Sequence, residues 1–456
     1  MPKERIFQNC RNPVLPVDIH IPDGEAHVMP DGRVYVYGSW DQHEDTYCSR
    51  DYRVVSSADM REWTDHGPSF TSSQVPWLLD PNAPKYPGFD FSKPTPFMIK
   101  RAAEEAEEAK RAKQPPKPFT PPPQDMLYAP DCIEKDGKYY LYFCAADQSE
   151  GVAVSDSPAG PFSHPVRLKC GGIDPAVFVD RDGQAYYYWG QFAAKGAKLK
   201  PGMTEIDEST IVENLITEQE HFFHEGSSLR RRGDTYYLVF SDMERGRPTS
   251  LGYATGKSPL GPFTYRGIII DNTGCDPASW NNHGSIEEVN GQWYVFYHRS
   301  TRCSEYMRRL CVEPITFLED GTIPEVEMTS QGAGAPFSCG ERVPAWTACL
   351  LSGSCRFLPD TPEDGQPREK LSVISPGDTA AFKYFSFENP PASLHLWCLG
   401  SGAVRVFAGD TLLAQGPLSP GETTLPLSAS VTGRQCVRLE FTQSNGLELQ
   451  SLLFQA

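Results

Sequence analysis

Five titratable side chains stand at nearly the same distance before five similar segments of this chain. Each segment begins around a glycine and continues with aromatic and β-branched residues, which predicts a tight turn followed by a strand. The turn glycines are Gly32, Gly137, Gly183, Gly233 and Gly291. The side chains that precede them, by 6 to 9 positions, are Asp23, Asp131, Asp174, Glu225 and His283. If the segments are equivalent units around one axis, these side chains converge there and favour a hydrolytic site.

Carboxyl groups that converge on one pocket can cleave a glycosidic bond. One carboxylate must be charged to activate a water molecule, and a second carboxyl must be protonated, with a raised pKa, to protonate the leaving oxygen. A third carboxylate can raise the pKa of that acid by like-charge repulsion and hold it in position. Three carboxylates from three units would supply these parts.

The spacing of the turns predicts the elements that position these residues. Successive turn glycines are 105, 46, 50 and 58 residues apart, and a period near 50 with several strands per unit is typical of a β-propeller. The long first gap indicates an insertion over about 79–124, with a helix in its Ala-, Glu- and Lys-rich part that a Pro-rich run ends. The insertion either overhangs the mouth of the propeller or is a solvated surface excursion.

The repeat stops after about residue 334, where strands separated by Gly and Pro turns follow. Residues 340–456 therefore predict a β-sandwich. Together these patterns predict an all-β protein, with a five-bladed β-propeller over 1–335 as the catalytic domain and a β-sandwich (jelly-roll-like) domain over 340–456.

Composition limits the partners and the compartment. The chain has 456 residues and a net charge of −17, which argues against nucleic acid as a partner. The N-terminus lacks the apolar core of a signal peptide, and no run of about 18 apolar residues suits a membrane span. The 13 cysteines include no Cys-x-x-Cys pair, so we expect buried, reduced thiols in a cytoplasmic protein. The sequence leaves the oligomeric state open.

Several motifs resemble glycoside hydrolase family 43, whose members are five-bladed propellers that act on arabinose- and xylose-containing glycans. The segment that starts at Asp23 resembles the family's general-base segment, although the family commonly has Asp-Pro where this chain has Asp23-Gly24. The segments 173–178 and 225–228 resemble those of the pKa-modulating Asp and of the general acid. The resemblance implies that Asp23 is the general base, Glu225 the general acid and Asp174 the pKa modulator. It also implies inversion at the anomeric carbon, with the base and the acid about 6.5–9.5 Å apart.

Further residues are expected to contact the substrate. Residues 128–131 resemble the family's second-blade segment, which implicates Asp131. Trp40 and Asp41 follow the first inner strand and could flank the sugar, although packing within the blade is an equal alternative for Trp40. The segment 307–312 resembles the one that supplies a sugar-contacting Arg, which implicates Arg308. Arg309 is its rival, because alternation along a strand lets only one of the two point inward.

His283 lies in a segment, 281–285, that resembles the fifth-blade His segment of the family. The resemblance implies a possible structural Ca²⁺ in the propeller channel, although no cofactor is required for the chemistry. Because calcium prefers oxygen ligands, a metal role for His283 would be water-mediated, and a plain hydrogen bond is an equal alternative.

The C-terminal region is similar to a family 6 carbohydrate-binding module. Positions where that family often has aromatic sugar contacts hold Thr379 and Leu452. A structural sandwich that packs on the propeller is therefore the favoured interpretation, with sugar binding as the alternative.

The leading hypothesis is an inverting exo-glycosidase that removes terminal α-L-arabinofuranosyl or β-D-xylosyl residues from plant-derived oligosaccharides. An endo-arabinanase would need an open groove, and the insertion favours a closed pocket instead. A non-catalytic sugar-binding propeller is expected to lose one of the three carboxylates, and all three are present. A scaffold propeller does not explain acidic residues in matching register.

Overall fold

The computed structural model describes residues 4–86, 88–112, 122–360 and 367–456. Their strands form six sheets, and only one helix of these ranges, in the insertion, is longer than four residues. In these ranges, no helix combines the length and apolar character that a membrane crossing requires. The predicted architecture, a five-bladed propeller followed by a further all-β domain, is confirmed.

The first three sheets are blades 1 to 3, each antiparallel throughout. Blade 1 contains β1 (Arg5–Gln8), β2 (Glu25–Val28), β3 (Val34–Gly38), β4 (Asp51–Ser57) and β5 (Glu62–Thr71). Blade 2 contains β6 (Asp131–Lys135), β7 (Lys138–Cys144), β8 (Ser149–Ser155) and β9 (Ser163–Gly171). Blade 3 contains β10 (Ala176–Val179), β11 (Ala185–Trp189), β12 (Ala193–Lys198) and β13 (Val212–Thr217).

Two further sheets complete the propeller. Blade 4 contains β14 (Phe223–Arg232), β15 (Thr235–Asp242), β16 (Ser250–Gly256) and β17 (Phe263–Ile270). Blade 5 contains β18 (Ser285–Val289), β19 (Gln292–Thr301) and β20 (Ser304–Ile315). The first strand of each repeat contacts its counterparts in the two neighbouring blades, in the cyclic order β2, β6, β10, β14, β18 and back to β2. These five strands therefore surround the central channel.

The five predicted turns join the innermost strand of each blade to the strand that follows it in the chain. All five turn glycines have positive φ, between 62° and 83°, a conformation that glycine adopts without the steric cost that a Cβ brings. A Cβ at Gly32, Gly137, Gly233 or Gly291 would meet nothing within 4 Å. The backbone conformation, and not the available space, is therefore what selects glycine at these turns.

The insertion between β5 and β6 contains two helices, α1 (Pro76–Leu79) and α2 (Pro96–Ala112). Helix α2 falls where the Ala-, Glu- and Lys-rich stretch predicts a helix. The Pro-rich run predicted to end it lies largely outside the described residues. The other short helix, α3 (Glu218–His221), precedes β14, and single 3₁₀ turns lie at Ser72–Gln74, Glu208–Thr210 and Ala345–Thr347.

The C-terminal region forms one curled sheet of nine strands. They are β21 (Val343–Pro344), β22 (Leu350–Ser352), β23 (Arg356–Asp360), β24 (Arg368–Ser372), β25 (Thr379–Phe387), β26 (Ser393–Ala408), β27 (Thr411–Leu418), β28 (Gly421–Pro426) and β29 (Gly433–Gln455). The sheet encloses its own apolar core. Because β20 ends at Ile315 and β21 begins at Val343, the architecture changes between them, and the specific boundaries at 335 and 340 stay predictions.

All thirteen cysteines lie in the described part of the chain, and none of them forms a disulfide. Nine are buried and the other four are partly buried, which agrees with the expectation that the thiols lie in the protein interior.

Candidate active site

Four of the five predicted side chains line one cavity, at the end of the propeller where the innermost strands begin. The cavity has a volume of about 220 Å³. Its lining residues are Asp23, Tyr47, Cys48, Tyr128, Ala129, Ile173, Asp174, Gln191, His224, Glu225, Arg247, Trp280, Asn281, His283 and Arg308. Carboxylates from blades 1, 3 and 4 therefore meet an imidazole and a guanidinium from blade 5.

The same backbone conformation presents two of these carboxylates. Asp23 and Asp174 each stand two positions before the innermost strand of their blade, with φ of 57° and 53°. This left-handed region is rare for residues other than glycine, and Asp tolerates it better than most. The shared conformation supports the structural equivalence that the common spacing to the turn glycines predicts.

Asp23 is buried and surrounded by donors. Its Oδ2 accepts a hydrogen bond of 2.8 Å from Ser39 Oγ, and its Oδ1 accepts one of 2.9 Å from Arg308 Nη1. The rings of His283 and His298 lie 3.6 and 3.5 Å from Oδ1. Burial alone would raise the pKa of Asp23, but Arg308, with smaller contributions from the histidines and Ser39, lowers it below its ordinary value. The carboxyl is therefore held in its charged form.

Arg308 is positioned by Asp41 rather than free to turn toward a ligand. Asp41 Oδ2 accepts from Arg308 Nε at 2.9 Å, and Oδ1 accepts from Nη2 at 3.0 Å. Asp41 itself is 1 % exposed and does not line the cavity, so its predicted substrate contact is corrected to a contact with Arg308. Burial raises the pKa of Asp41 to about 6 in spite of this ion pair.

The structure shows which of the two neighbouring arginines, Arg308 or Arg309, points toward the cavity. Arg308 lines the cavity, whereas Arg309 points to the other face of β20 and donates to Glu369 Oε2 at 3.1 Å. Alternation along the strand accounts for this difference.

Asp174 is the carboxyl whose protonated form the site favours. Burial raises its pKa well above the ordinary value, and the nearby charges of Glu225 and Asp23 raise it further. His283 Nδ1 lies 3.8 Å from Asp174 Oδ2. A buried carboxyl beside two others is thus disposed to hold a proton, because several carboxylates cannot all ionise at short range without a large electrostatic cost.

Glu225 is the most accessible of the three carboxyl groups, with its side chain 15 % exposed. Its Oε2 accepts a hydrogen bond of 2.7 Å from Gln191 Nε2. Gln191 was not predicted. It stands two positions after the end of β11. Trp40 has the same offset from the end of β3 and does not line the cavity, so this offset alone does not identify a site residue.

The glycine after Glu225 allows the His283 ring to lie against the backbone. Gly226 has φ of 73°, and a Cβ there would be 2.7 Å from His283 Cδ2 and Nε2. Burial lowers the pKa of His283 below its ordinary value, which favours a neutral imidazole beside Asp23 and Asp174.

Asp131, the fifth predicted side chain, lies deeper in the channel and does not line the cavity. Its Oδ2 accepts from Val177 N at 2.7 Å, and its Oδ1 lies 2.7 Å from His27 Nε2. Asp131 is only 6 positions before Gly137, whereas Tyr128, at the 9-position spacing of Asp23, does line the cavity. The predicted substrate contact for Asp131 is therefore corrected, and Tyr128 takes the equivalent place in blade 2.

The tryptophan at the cavity is also different from the predicted one. Trp40 does not line the cavity, and the guanidinium of Arg53 lies 4.7 Å from its ring centroid. Trp280 is 39 % exposed and lines the cavity instead. The guanidinium of Arg247 lies 4.3 Å from the Trp280 ring centroid. Trp280 precedes His283 by only three positions, so its place in the segment that leads to the channel was the available signal.

The insertion packs behind one wall of the cavity. The rings of Phe89 and Phe192 pack at a tilt with their centroids 4.7 Å apart, and Phe192 meets the His224 ring edge-on at 5.0 Å. Arg101 of α2 donates to Glu218 Oε1 at 3.1 Å, and the same oxygen lies 3.2 Å from His224 Nδ1. The described residues of the insertion do not themselves line the cavity. They support His224, the neighbour of Glu225 in the chain.

A separate group in the channel has ligand types that suit a metal ion. Atoms of Glu25, His27 and Asp131 lie within 4.8 Å of one another. However, Arg230 Nη2 lies 3.0 Å from Glu25 Oε1 and 3.4 Å from His27 Nε2, so a guanidinium already supplies the positive charge. This donor set does not fit Ca²⁺, which takes about six to eight oxygen ligands. A water-mediated calcium at His283 stays a prediction.

The fold and the site together define a class of enzyme. Three carboxyl groups line one cavity at the mouth of a five-bladed propeller, one held charged by an arginine and another with a strongly raised pKa. These are the parts that acid–base cleavage of a glycosidic bond requires. The protein is a glycoside hydrolase.

Comparison with known proteins gives the family. Residues 104–323 match the model of the glycosyl hydrolases family 43. A xylosidase/arabinosidase of Thermoclostridium stercorarium is 31 % identical over 92 % of this chain and 93 % of its own length. A xylosidase/arabinosidase of Bacteroides ovatus is 28 % identical over 68 % of this chain and 95 % of its own. The chain belongs to glycoside hydrolase family 43.

Solved structures agree with this assignment. A family 43 β-xylosidase/α-arabinofuranosidase from a compost microbial metagenome, solved with xylotriose in a calcium-free form, has a TM-score of 0.54 and 30 % identity. The match covers 71 % of this chain and 99 % of that one. An arabinoxylan arabinofuranohydrolase from Bacillus subtilis, solved with cellotetraose, has a TM-score of 0.50 and covers 97 % of both chains. At 24 % identity, the second likeness concerns the fold alone.

Proposed function

We propose that the protein is an inverting exo-glycosidase that removes terminal β-D-xylosyl or α-L-arabinofuranosyl residues from plant-derived oligosaccharides. Asp23 is the general base, Glu225 the general acid and Asp174 the residue that tunes the acid. The observation that carries the proposal is that carboxyl groups in one cavity have pKa values shifted in opposite directions. The pKa of Asp23 is lowered, so it is held charged, whereas that of Asp174 is raised, so it favours the protonated form.

The surroundings of Asp23 suit a base that activates water. A general base must be deprotonated when the substrate binds, and the Arg308 guanidinium at 2.9 Å from Oδ1 favours that form. Asp41 holds Arg308 through two further hydrogen bonds. Asp41 thus acts through Arg308, because it fixes the guanidinium group that keeps the carboxylate of Asp23 ionised.

The surroundings of Glu225 suit an acid that meets the leaving group. Its side chain is the most exposed of the three carboxyl groups, and Gln191 fixes one of its oxygens. The charge of Glu225 helps to raise the pKa of Asp174, so the two carboxyl groups interact within the cavity. A proton on Glu225 can then pass to the glycosidic oxygen as the bond breaks, while water activated by Asp23 attacks the anomeric carbon.

The small volume of the cavity supports exo action. Its volume of about 220 Å³ is below the roughly 300–1,000 Å³ of pockets that enclose drug-sized ligands, which suits a single terminal sugar better than a long chain. Trp280 is the exposed aromatic residue of the lining, and we assign it to the next sugar unit at the rim.

The sugar assignment rests on the relatives. The enzymes from T. stercorarium and B. ovatus are named for both xylosidase and arabinosidase activity. Xylose and arabinose are both pentoses. The neutral and charged hydrogen-bonding groups of the cavity can bind either the xylopyranose ring or the arabinofuranose ring.

For the C-terminal domain we propose a structural role. Its likeness to a family 6 carbohydrate-binding module remains a prediction, and Leu452, at a position where that family often has a sugar contact, is fully buried in the core. Glu369 of β24 accepts hydrogen bonds from Arg302 and Arg309 of the propeller. These contacts support a domain that packs on blade 5.

The direct test is hydrolysis of two aryl glycosides, the β-D-xylopyranoside and the α-L-arabinofuranoside, by the wild type and by Asp23→Asn. Turnover of at least one substrate that is abolished in the variant supports the proposal. Wild-type turnover that survives in Asp23→Asn would remove Asp23 as the base. Absence of turnover on both substrates, with activity on an internally cleaved arabinan, would replace exo action by endo action.

A further inference from the structure

A second, much smaller cavity lies between blade 5 and the C-terminal sheet. Its volume is about 10 Å³, roughly the space that one water-sized sphere needs. Polar side chains from β19 and β20 line one side, and residues of the C-terminal domain line the other. The lining residues are Pro13, Cys275, Arg299, Ser300, Thr301, Arg309, Trp346, Ala348 and Phe357.

Two arginines of this lining face each other across neighbouring strands. Arg299 on β19 pairs in register with Arg309 on β20, so the two side chains lie on the same face of the blade. Only 3 % of Arg299 and 1 % of Arg309 are exposed. Like charges directly opposite one another on adjacent strands are destabilising, and burial strengthens the repulsion because less water screens it.

Several donors at this cavity have no acceptor among the described residues. Arg299 donates from Nε to Cys311 Sγ at 3.0 Å, but its Nη1 and Nη2 have no hydrogen-bond partner in the described chain. The same holds for Arg309 Nε and for the hydroxyl of Thr301, which is 2 % exposed. A buried charged donor without a partner costs several kcal/mol, so such a cluster requires an acceptor.

The nearby carboxylates already have other partners. Glu369 accepts from Arg309 Nη1 at 3.1 Å and from Arg302 Nε at 3.0 Å. Glu313 accepts hydrogen bonds from Asn12, Tyr297 and Thr329. Its interaction with Arg299 is electrostatic, without a hydrogen bond. One carboxylate is thus shared by two guanidinium groups, while the terminal nitrogens of a third have no acceptor among the described residues. The neighbouring Asp276 does not supply one, because it accepts from Ala278 N and Cys303 N.

We propose that this cavity binds a single monatomic anion of the chloride class. An anion would accept hydrogen bonds from the terminal nitrogens of Arg299 and from Arg309 Nε, and it would offset the repulsion between the two guanidinium groups. A water molecule could accept some of these bonds but would leave the charge uncompensated. The small volume suits a monatomic ion better than phosphate or sulfate.

The anion would lie between the propeller and the C-terminal domain and would stabilise their contact. The guanidinium groups belong to the propeller, whereas Trp346 and Phe357 on the opposite wall belong to the C-terminal domain, and the Arg309 guanidinium lies 4.9 Å from the Trp346 ring centroid. A bound anion would stabilise the positively charged edge against which the C-terminal domain packs. The folded protein should therefore be more stable in chloride than in a bulky anion, because a ligand that binds only the folded state stabilises that state.

The first test is a crystal structure of the wild-type protein grown in sodium bromide, with data collected at the bromine absorption edge. An anomalous peak within hydrogen-bond distance of Arg299 and Arg309 supports the proposal. Density without anomalous signal at this position identifies water and overturns the proposal.

The second test is thermal unfolding in sodium chloride and in sodium gluconate at equal ionic strength. At chloride concentrations several times the Kd, the wild-type Tm should be about 1 °C higher in chloride. Arg299→Met should abolish this difference, because it removes the unpaired guanidinium. The matched control is Arg245→Gln, since Arg245 already pairs with Asp271 and Glu325, and this variant should keep the wild-type response. Equal Tm values of the wild type in the two salts, or an unchanged response in Arg299→Met, would overturn the proposal.

Discussion

Arg308 donates through Nη1 to Asp23 Oδ1 at 2.9 Å, although the two residues are 285 positions apart in the chain. The contact joins the last blade to the first across the channel, and it lowers the pKa of the group that we assign as the base. Closure of the propeller ring is therefore also the event that completes the active site, because neither residue has the other as a neighbour until blades 1 and 5 meet.

Replacement of Arg308 should change the pH profile. Because Arg308 lowers the pKa of Asp23, its removal in Arg308→Met raises that pKa, and a higher pH is then needed to ionise the base. The acidic limb of the kcat/KM profile should move to higher pH. Arg308→Lys, which keeps a positive charge, should move it less. An acidic limb that stays in place in Arg308→Met would contradict the role of Arg308.

Replacement of Glu225 should depend on the leaving group. Glu225→Ala should reduce kcat by about 10²–10⁴-fold on oligosaccharides and on aryl glycosides with poor leaving groups, since a positioned general acid contributes about that much. Dinitrophenyl glycosides, which leave without protonation, should retain much more activity. Steady-state kinetics on both substrate types checks this, and an equal loss on both would remove Glu225 as the acid.

Gly226 should tolerate a side chain less well than a turn glycine with a similar backbone. Gly226→Ala and Gly233→Ala both place a Cβ on a residue with positive φ, at 73° and 62°, which costs about 1–2 kcal/mol. Only at Gly226 does the Cβ also meet the His283 ring, at 2.7 Å.

Urea unfolding and kcat/KM of the two glycine variants separate these effects. Gly233→Ala should lose stability and keep its activity per folded molecule. Gly226→Ala should lose more stability and also activity. Equal behaviour of the two variants would show that contact with His283 does not restrict position 226.

The insertion should affect substrate binding through His224. In Arg101→Ala, Glu218 loses its partner at 3.1 Å, and His224, which contacts the same Glu218 oxygen, loses support. We expect KM to rise about five- to tenfold, which corresponds to about 1 kcal/mol, with a smaller change in kcat because the three carboxyl groups remain. Lys110→Ala, at a position on the same helix that is 72 % exposed, is the control and should leave both constants unchanged. An unchanged KM in Arg101→Ala would contradict this role.

The sequence could predict the elements whose signals are local. A tight turn with glycine at positive φ is set by a few neighbouring residues, so five such turns reveal five blades. The distance from each turn back to the channel mouth is set by the length of one short strand, which is why Asp23, Asp174, Glu225 and His283 could be placed together.

The remaining site residues depend on contacts that have no local signal. Asp131 carries the expected residue type, but the register of its strand directs it to His27 and brings Tyr128 to the cavity. Trp40 lies against the guanidinium of Arg53, a contact that its neighbours in sequence do not indicate. The support of His224 by the insertion depends on pairs more than 100 positions apart, such as Arg101 and Glu218.

The central claim, cleavage with Asp23 as the base that activates water, is tested most directly by the stereochemistry of the product. Proton NMR during hydrolysis of an aryl β-D-xylopyranoside at high enzyme concentration identifies the anomer that forms first, before mutarotation. Single displacement by water predicts α-D-xylose as the first product. Initial formation of β-D-xylose would contradict the account, because it requires a double displacement in which a carboxylate acts as a nucleophile.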